Sequence, residues 1–215
     1  AKSAETPNEA EFAAALAGIT FRNTSEAPDS TDRTIDFKVK DASGATSQSA
    51  TAVVKVIPVN DPPTISVTDQ SPAFTEMAGS DTKAHAVVIN SSVAITDVDL
   101  TDPKSATVTI TNLKNGDELL FTDTTEIHGS YNAGTGVLTL TAQSGRTPTE
   151  AQFEAALSGV KFNNTSDTPD TTARVIEFKV TDQSDVTSTA AVETVSVTPV
   201  NEPAVIAGTD TGSVK

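Results

Sequence analysis

The sequence predicts an all-β fold of antiparallel sandwich repeats, each carrying one short inserted helix. Three observations predict it. Apolar and polar residues alternate in short runs, clusters of Gly, Pro, Asn, Asp and Ser separate those runs, and a long stretch of chain recurs at one fixed offset. Strict alternation buries one face of a strand, and many short strands divided by turn signals require a second sheet to cover that face.

The repeat sets the frame. Aligning Phe12 with Phe153 gives an offset of 141 residues (153 − 12) that carries every later match without a gap. More than half of the positions across residues 6–62 are identical, among them Gly18 with Gly159, Phe21 with Phe162, Arg33 with Arg174 and Asp41 with Asp182. Self-similarity at domain length means an array of whole domains rather than a solenoid of short units. The 215 residues divide accordingly into the C-terminal half of a repeat (residues 1–60), a complete repeat (61–202) and the start of a third (203–215).

Along the chain, the first element is a helix. Thr6-Pro7-Asn8-Glu9 reads as an N-cap threonine, a proline at the first helical position and a glutamate at the third. Phe12 and Leu16 then share one face as core. Ile35, Phe37 and Val39 alternate with polar neighbours as a half-buried strand, and residues 52–58 form the next. In the complete repeat, strands are expected at 84–89, 106–111 and 136–141. Tyr131, between Gly129 and Gly134, caps a hairpin. Thr147-Pro148-Thr149-Glu150 repeats the helix start, with Phe153 and Leu157 as core, and strands follow at Ile176, Phe178 and Val180 and at 192–198. Asn23, Asn90, Asn163 and Asn164 each open an Asn-x-Ser/Thr triplet. The asparagines of the repeated Asn-Thr-Ser tract read as side chains that bond a turn backbone rather than as glycan acceptors.

Composition narrows the function. Lys plus Arg number 14 against 29 Asp plus Glu, a net charge of −15. Such a chain repels nucleic acid and anionic membrane surfaces and suits either cation binding or plain solubility. There is no Cys, and His85 and His128 lie in unrelated segments, so no nucleophile and base pair is in view and the chain is not read as an enzyme. Sugar sites display aromatic faces, whereas this chain has no Trp and a single Tyr. Polysaccharide binding is therefore the alternative reading, behind a spacer role.

Calcium takes 6 to 8 oxygen ligands from carboxylates and carbonyls. Asp97-Val98-Asp99 projects two carboxylates to one side of an extended segment, either as ligands or as a solvated turn. Asp182 ends one strand as Asp41 ends its counterpart. Asn60-Asp61 and Asn201-Glu202 lie in the proline-rich junctions, and Glu76 follows the start of the complete repeat. This set resembles cadherin repeats: a glutamate near the start, an Asp-x-Asp midway, an aspartate after the penultimate strand and an Asn-Asp-x-Pro junction. More closely, Leu120-Phe121-Thr122-Asp123, Gly129-Ser130-Tyr131-Asn132, Thr135-Gly136-Val137-Leu138-Thr139-Leu140 and Phe162-Asn163-Asn164-Thr165-Ser166 resemble the cadherin-like repeats of large secreted bacterial adhesins of the RTX type.

The resemblance implies an Ig/cadherin-like sandwich and a calcium-binding extender module at the bacterial surface or in the medium, serving cell adhesion and biofilm formation. Its partners would be neighbouring repeats of the same protein and, in the alternative reading, a cell-surface polysaccharide, with no membrane insertion by this segment. By position it implies Ca²⁺ held by Asn60, Asp61, Asp97, Asp99 and Asp182 at one end of the complete repeat. Glu76 would face the opposite junction, near Asn201 and Glu202. The mid-repeat glutamate motif of cadherins is replaced by the helix insertion, so that second junction is expected to bind calcium weakly or not at all. Glu150 is accounted for by capping, and Asp41 belongs to an incomplete site. The half-repeat at residues 1–60 has too few strands for a whole sandwich. It is read as a fragment or, alternatively, as a unit completed by strand exchange between chains.

Overall fold

The computed structural model describes residues 8–76 and 85–202. Thr6, Pro7, the first residue of the 84–89 strand and all of residues 203–215 lie outside the described residues. The chain divides between Asn60 and Asp61 into two compact units.

The first unit holds helix α1 (Glu9–Ala17) and the antiparallel pair β1 (Arg33–Phe37) and β2 (Ala50–Val54). The helix begins two residues later than the sequence suggests. Asn8 is the N-cap: its Oδ1 accepts from Glu11 N at 3.1 Å while Glu11 Oε2 accepts from Asn8 N at 2.8 Å. A reciprocal box of this kind satisfies two end N–H groups at once, so it sets the boundary. No described residue of this unit is buried, and Phe12, expected in the core, is 49% exposed. Among the described residues, the first unit has only β1 and β2 beside α1 and no counterpart of the other strands that bury Phe153 in the second unit.

The second unit carries β3 (Thr64–Val67), β4 (Ala73–Thr75), β5 (Val87–Val88), β6 (Val93–Thr96), β7 (Ser105–Ile110), β8 (Asp117–Leu120), β9 (Ile127–Asn132), β10 (Val137–Ala142), helix α2 (Glu150–Ser158), β11 (Lys161–Asn164), β12 (Arg174–Thr181) and β13 (Ala191–Thr198). They form a six-stranded sheet in the order β4-β13-β12-β7-β10-β9, a three-stranded sheet β5-β11-β8 and a pair β3-β6. The unit is mainly β and almost wholly antiparallel. The exception is β4, which runs parallel to β13 as an edge strand. Alternation behaves as the pattern demands: along β12, Arg174, Ile176, Phe178 and Val180 are buried and their neighbours half-buried. One core gathers Ile176, Phe178 and Val180 with Phe74, Leu119, Leu140 and Phe162. Phe74 of the six-stranded sheet meets Phe162 of the three-stranded sheet edge to face, with ring centres 5.5 Å apart. Burying an aromatic there contributes about 1.5–3 kcal/mol.

Helix α2 seals the core with Phe153 and Leu157, both fully buried. Its N-cap is Thr149 rather than Thr147, and Thr149 N donates to Gln152 Oε1 at 2.8 Å. The helix also does something the sequence does not announce. Glu154 Oε1 accepts from Ile95 N at 2.8 Å and Ser158 Oγ from Val93 N at 3.2 Å. Two side chains one turn apart thus replace a ladder strand along the edge of β6, where unpaired N–H groups would otherwise be costly.

Tyr131 lies within β9, opposite Leu138, and does not cap the hairpin turn. Asn132 does so, taking Gly134 N on its Oδ1 at 2.9 Å. The Asn-Thr-Ser reading holds in both copies: Asn23 Oδ1 accepts from Ser25 N and Asn164 Oδ1 from Ser166 N, each at 2.8 Å. Asn90, Asn163 and Asn164 are completely buried, which removes them as glycan acceptors.

Candidate metal site

The ladder registers give the second unit two ends. At one, β12 ends at Thr181 and Asp182 follows it directly. At the other, β12 starts at Arg174 opposite Val195, and β13 and β4 run on to Val200 and Glu76.

At the Asp182 end the chain builds two carboxylate-centred turns. Asp182 is fully buried, and its Oδ1 accepts from Ser184 N and Val186 N, each at 2.8 Å. The same loop recurs in the first unit, where Asp41 Oδ1 accepts from Ser43 N and Ala45 N at 2.9 Å. Those bonds, the Ser43 hydroxyl foremost, hold the Asp41 carboxyl below the usual range. A motif that forms identically with and without the rest of the repeat is locally encoded. The second turn centres on Asp97, whose Oδ1 accepts from Asp99 N at 2.8 Å and whose Oδ2 accepts from the Thr101 hydroxyl at 2.6 Å. Asp99 Oδ2 in turn accepts from Asp61 N at 2.7 Å. Lys104 N donates to Thr181 O at 2.8 Å and Gln183 Nε2 to Asp102 O at 3.2 Å, docking the 97–104 turn on the Asp182 loop.

Asp61, Asp97, Asp99 and Asp182 are therefore assembled at one end of one unit. Asn60 belongs to the first unit and is described with it. Glu150 needs correcting. It is the first helical residue, not the capping glutamate, because the box closes on Gln152; its N–H donates to Asp102 Oδ1 at 3.0 Å. Burial first, and then the negative Glu154, Asp102 and Asp97, push its carboxyl up. Repulsion of that kind marks an excess of negative charge at this end.

At the opposite end, Glu76 is buried. Its N–H donates to Thr198 O and its Oε2 accepts from Val200 N, both at 2.9 Å, so it is tied to the segment that leads into Asn201 and Glu202. Its Oε1 is buried and has no hydrogen-bond partner. A buried carboxylate oxygen left unsatisfied costs more than about 1–3 kcal/mol, so this atom calls for a cation or a donor. A carboxylate oxygen is a donor that a hard cation accepts. Among the described residues, however, no three Asp, Glu, His or Cys side chains converge closely enough to hold a metal by themselves.

The same end holds a buried ion pair with no signal in the sequence beyond the repetition of its arginine. Arg174 is fully buried and its Nε donates to Asp117 Oδ2 at 2.6 Å. Asp117 also accepts from Lys114 N at 2.8 Å and Asn164 Nδ2 at 2.7 Å. Arg174 Nη1 donates to Thr172 O, while Nη2 is buried without a partner. Tyr131 hydroxyl donates to Asp117 O at 3.1 Å, and its ring packs on the core beside a cleft lined by Lys114, Asp117 and Glu118. His128 is exposed with Nδ1 2.7 Å from Asp123 Oδ2 on the far strand of the sheet. No helix among the described residues is long and apolar enough to cross a membrane.

No family model and no curated protein matches the chain. Among solved structures it is similar, over 76% of its length, to the C-terminal domain of the Streptococcus pyogenes antigen I/II-family protein AspA, at 12% identity and a TM-score of 0.25. The chain spans about half of that structure, 54% of its length.

Proposed function

We propose that this chain is a calcium-binding structural module of a secreted or cell-surface adhesin, an Ig/cadherin-like sandwich that acts as an extender without catalysis. Calcium is held by the ends of the complete repeat and stiffens the proline-rich segments that leave them. The observation that carries this reading is Glu76 Oε1, a buried carboxylate oxygen without a partner beside the exit strand. It favours a working site at the end expected to be weak. The assembly of Asp61, Asp97, Asp99 and Asp182, with the raised Glu150 carboxyl beside Asp97, supports a second site at the other end.

In this reading, metal-free ends carry mutually repelling carboxylates. Calcium neutralises them, and Pro58, Pro62 and Pro63 restrict the remaining backbone freedom of the junction. Because metal adds to the stability of the folded state alone, saturating calcium at about 100 times Kd raises stability by about 2.7 kcal/mol. The test is calorimetric titration of the full chain with Ca²⁺ after chelator treatment. Saturable binding is expected, weakened by Glu76→Gln at one end and by Asp97→Asn with Asp99→Asn at the other. An absence of heat and an unchanged Tm in millimolar calcium would leave a calcium-independent spacer.

A further inference from the structure

The turn that delivers Asp117 to Arg174 is built on an Asn-Gly pair. Asp117 N donates to Lys114 O at 3.2 Å, closing a turn with Asn115 and Gly116 at its centre. Gly116 has a φ of +83° while Asn115 is not in the positive-φ region, the signature of a type II turn. Glycine is required there twice over. That φ would strain a side chain, and a Cβ on Gly116 would lie 2.9 Å from both Asn164 Oδ1 and Ser166 N. The facing segment clamps both carbonyls of the pair: Asn164 Nδ2 donates to Asn115 O at 3.0 Å and Thr165 N to Gly116 O at 2.9 Å. Asn115 nevertheless stands apart from its neighbours. The side chains of Asn112, Asn132, Asn163 and Asn164 are all hydrogen-bonded. That of Asn115 is exposed and, among the described residues, makes no hydrogen bond, and neither does Gly116 N. An electrophilic amide and the nitrogen that could attack it are therefore both uncommitted, and glycine has no Cβ to shield that nitrogen.

We propose that Asn115 is a self-modification site that the closed turn holds shut, and that its reaction stops the turn from closing again. Gly116 N, giving up its proton, attacks Cγ of Asn115; a C–N bond forms as the Cγ–Nδ2 bond breaks, and ammonia leaves. Water then opens the resulting succinimide at either carbonyl, giving aspartate or isoaspartate. Ring closure needs Asn115 Cβ and Gly116 N eclipsed about the Cα–C bond, ~120° from the ψ that a type II turn sets. The closed turn forbids this. Reaching it breaks the Asp117 N bond and draws both carbonyls off their clamps, so only the locally opened turn reacts. Isoaspartate routes the main chain through the former side chain and lengthens it by a carbon atom. The clamps and the 2.8 Å bond from Lys114 N to Asp117 Oδ2 fit the shorter path. Asp117 is then pulled from Arg174 Nε, leaving a buried guanidinium without its carboxylate. The ion pair is thus a latch that keeps the turn closed while intact and is lost once the turn has reacted. This inference does not rest on any metal at the ends of the unit.

The test incubates the full chain at neutral pH and locates isoaspartate by peptide mapping and enzymatic carboxyl methylation, beside a synthetic peptide of residues 110–120 as the open reference. Isoaspartate at position 115 is expected in both, formed at least ~10-fold more slowly in the full chain because only its open fraction reacts. Urea below the unfolding transition should speed the reaction in the full chain and not in the peptide, which reads the gate without a variant. Arg174→Met should speed it as well. The modified chain, separated from the unmodified, should show faster amide exchange at Asp117 and altered emission from Tyr131, whose hydroxyl donates to Asp117 O. Three results would overturn the proposal: equal rates in chain and peptide; a chain that yields no product, or an unchanged rate, in urea and with Arg174→Met; or a modified chain whose Asp117 exchange matches that of the unmodified one.

Discussion

Arg174 and Arg33 occupy the same position of the repeat in two environments, and replacing each by Met gives a controlled measurement of what burial does. Arg174 is fully buried, bonded to Asp117 at 2.6 Å and to Thr172 O. Removing one partner of a buried pair typically costs about 3–5 kcal/mol, because the other charge is left uncompensated. Two details place Arg174→Met near the lower figure. Asp117 keeps Lys114 N and Asn164 Nδ2 as donors, and the substitution also removes Nη2, a donor that already lacks a partner. The expected loss is about 3 kcal/mol, a large share of the ~5–15 kcal/mol that holds a domain folded. Adding Asp117→Asn removes the stranded charge and should recover part of the loss, with a coupling energy of about 1–3 kcal/mol. Urea unfolding followed by tyrosine emission is the assay. Tyr131 is the only Tyr and there is no Trp, so the signal arises in the second unit, on the residue that bonds Asp117 O. With a urea slope of about 2 kcal/mol/M, the midpoint should fall by about 1.5 M. Arg33→Met should leave this curve in place. A loss under about 1 kcal/mol for Arg174→Met, or an equal shift from Arg33→Met, would refute the claim that burial distinguishes the copies.

The remaining predictions concern α2. Glu154→Ala should cost about 1.5–3 kcal/mol and Ser158→Ala about 0.5–1.5, with faster amide exchange at Ile95 and Val93 respectively; unchanged exchange would show that the edge is satisfied otherwise. Glu150, with its folded-state pKa raised by burial and by Glu154, Asp102 and Asp97, binds its proton more tightly in the folded than in the unfolded state. Its contribution to stability is therefore greatest when protonated and declines as pH rises through the unfolded and then the folded pKa. Glu150→Gln should raise Tm at neutral pH without metal and flatten the gain seen on acidification toward the carboxylate range; an equal Tm at both pH values for the two proteins would contradict this.

Local chemistry was legible in the residues. The Asp182 loop, the Asn164 turn and the β12–β13 register follow from short-range signals, and the first unit shows it by forming all three from its own copy with no described residue buried. Both helices start two residues after the Thr-Pro signal, because Thr-Pro and an Asn or Thr with a partner three positions on are both good starts, and only the completed side-chain bonds choose between them. Acidity and spacing drew attention to Asp61, Asp97 and Asp99, which the fold brings together, but spacing gave no hint that Glu150 would sit near them.

By itself, then, the sequence determined the repeat, the mainly β character, the alternating core positions and the carboxylate-centred turns, since each depends on neighbours within a few residues. Tertiary structure decided which copies of those positions are buried. It also decided which carboxylate meets Arg174, how α2 covers the edge of β6, and that one oxygen of Glu76 is sealed from water without a partner. Those outcomes depend on residues far apart in the chain: Asp117 lies 57 residues from Arg174, and Val200 lies 124 from Glu76. The same sequence pattern gives an exposed Phe12 and a buried Phe153 because burial is a property of the surrounding strands and not of the residue.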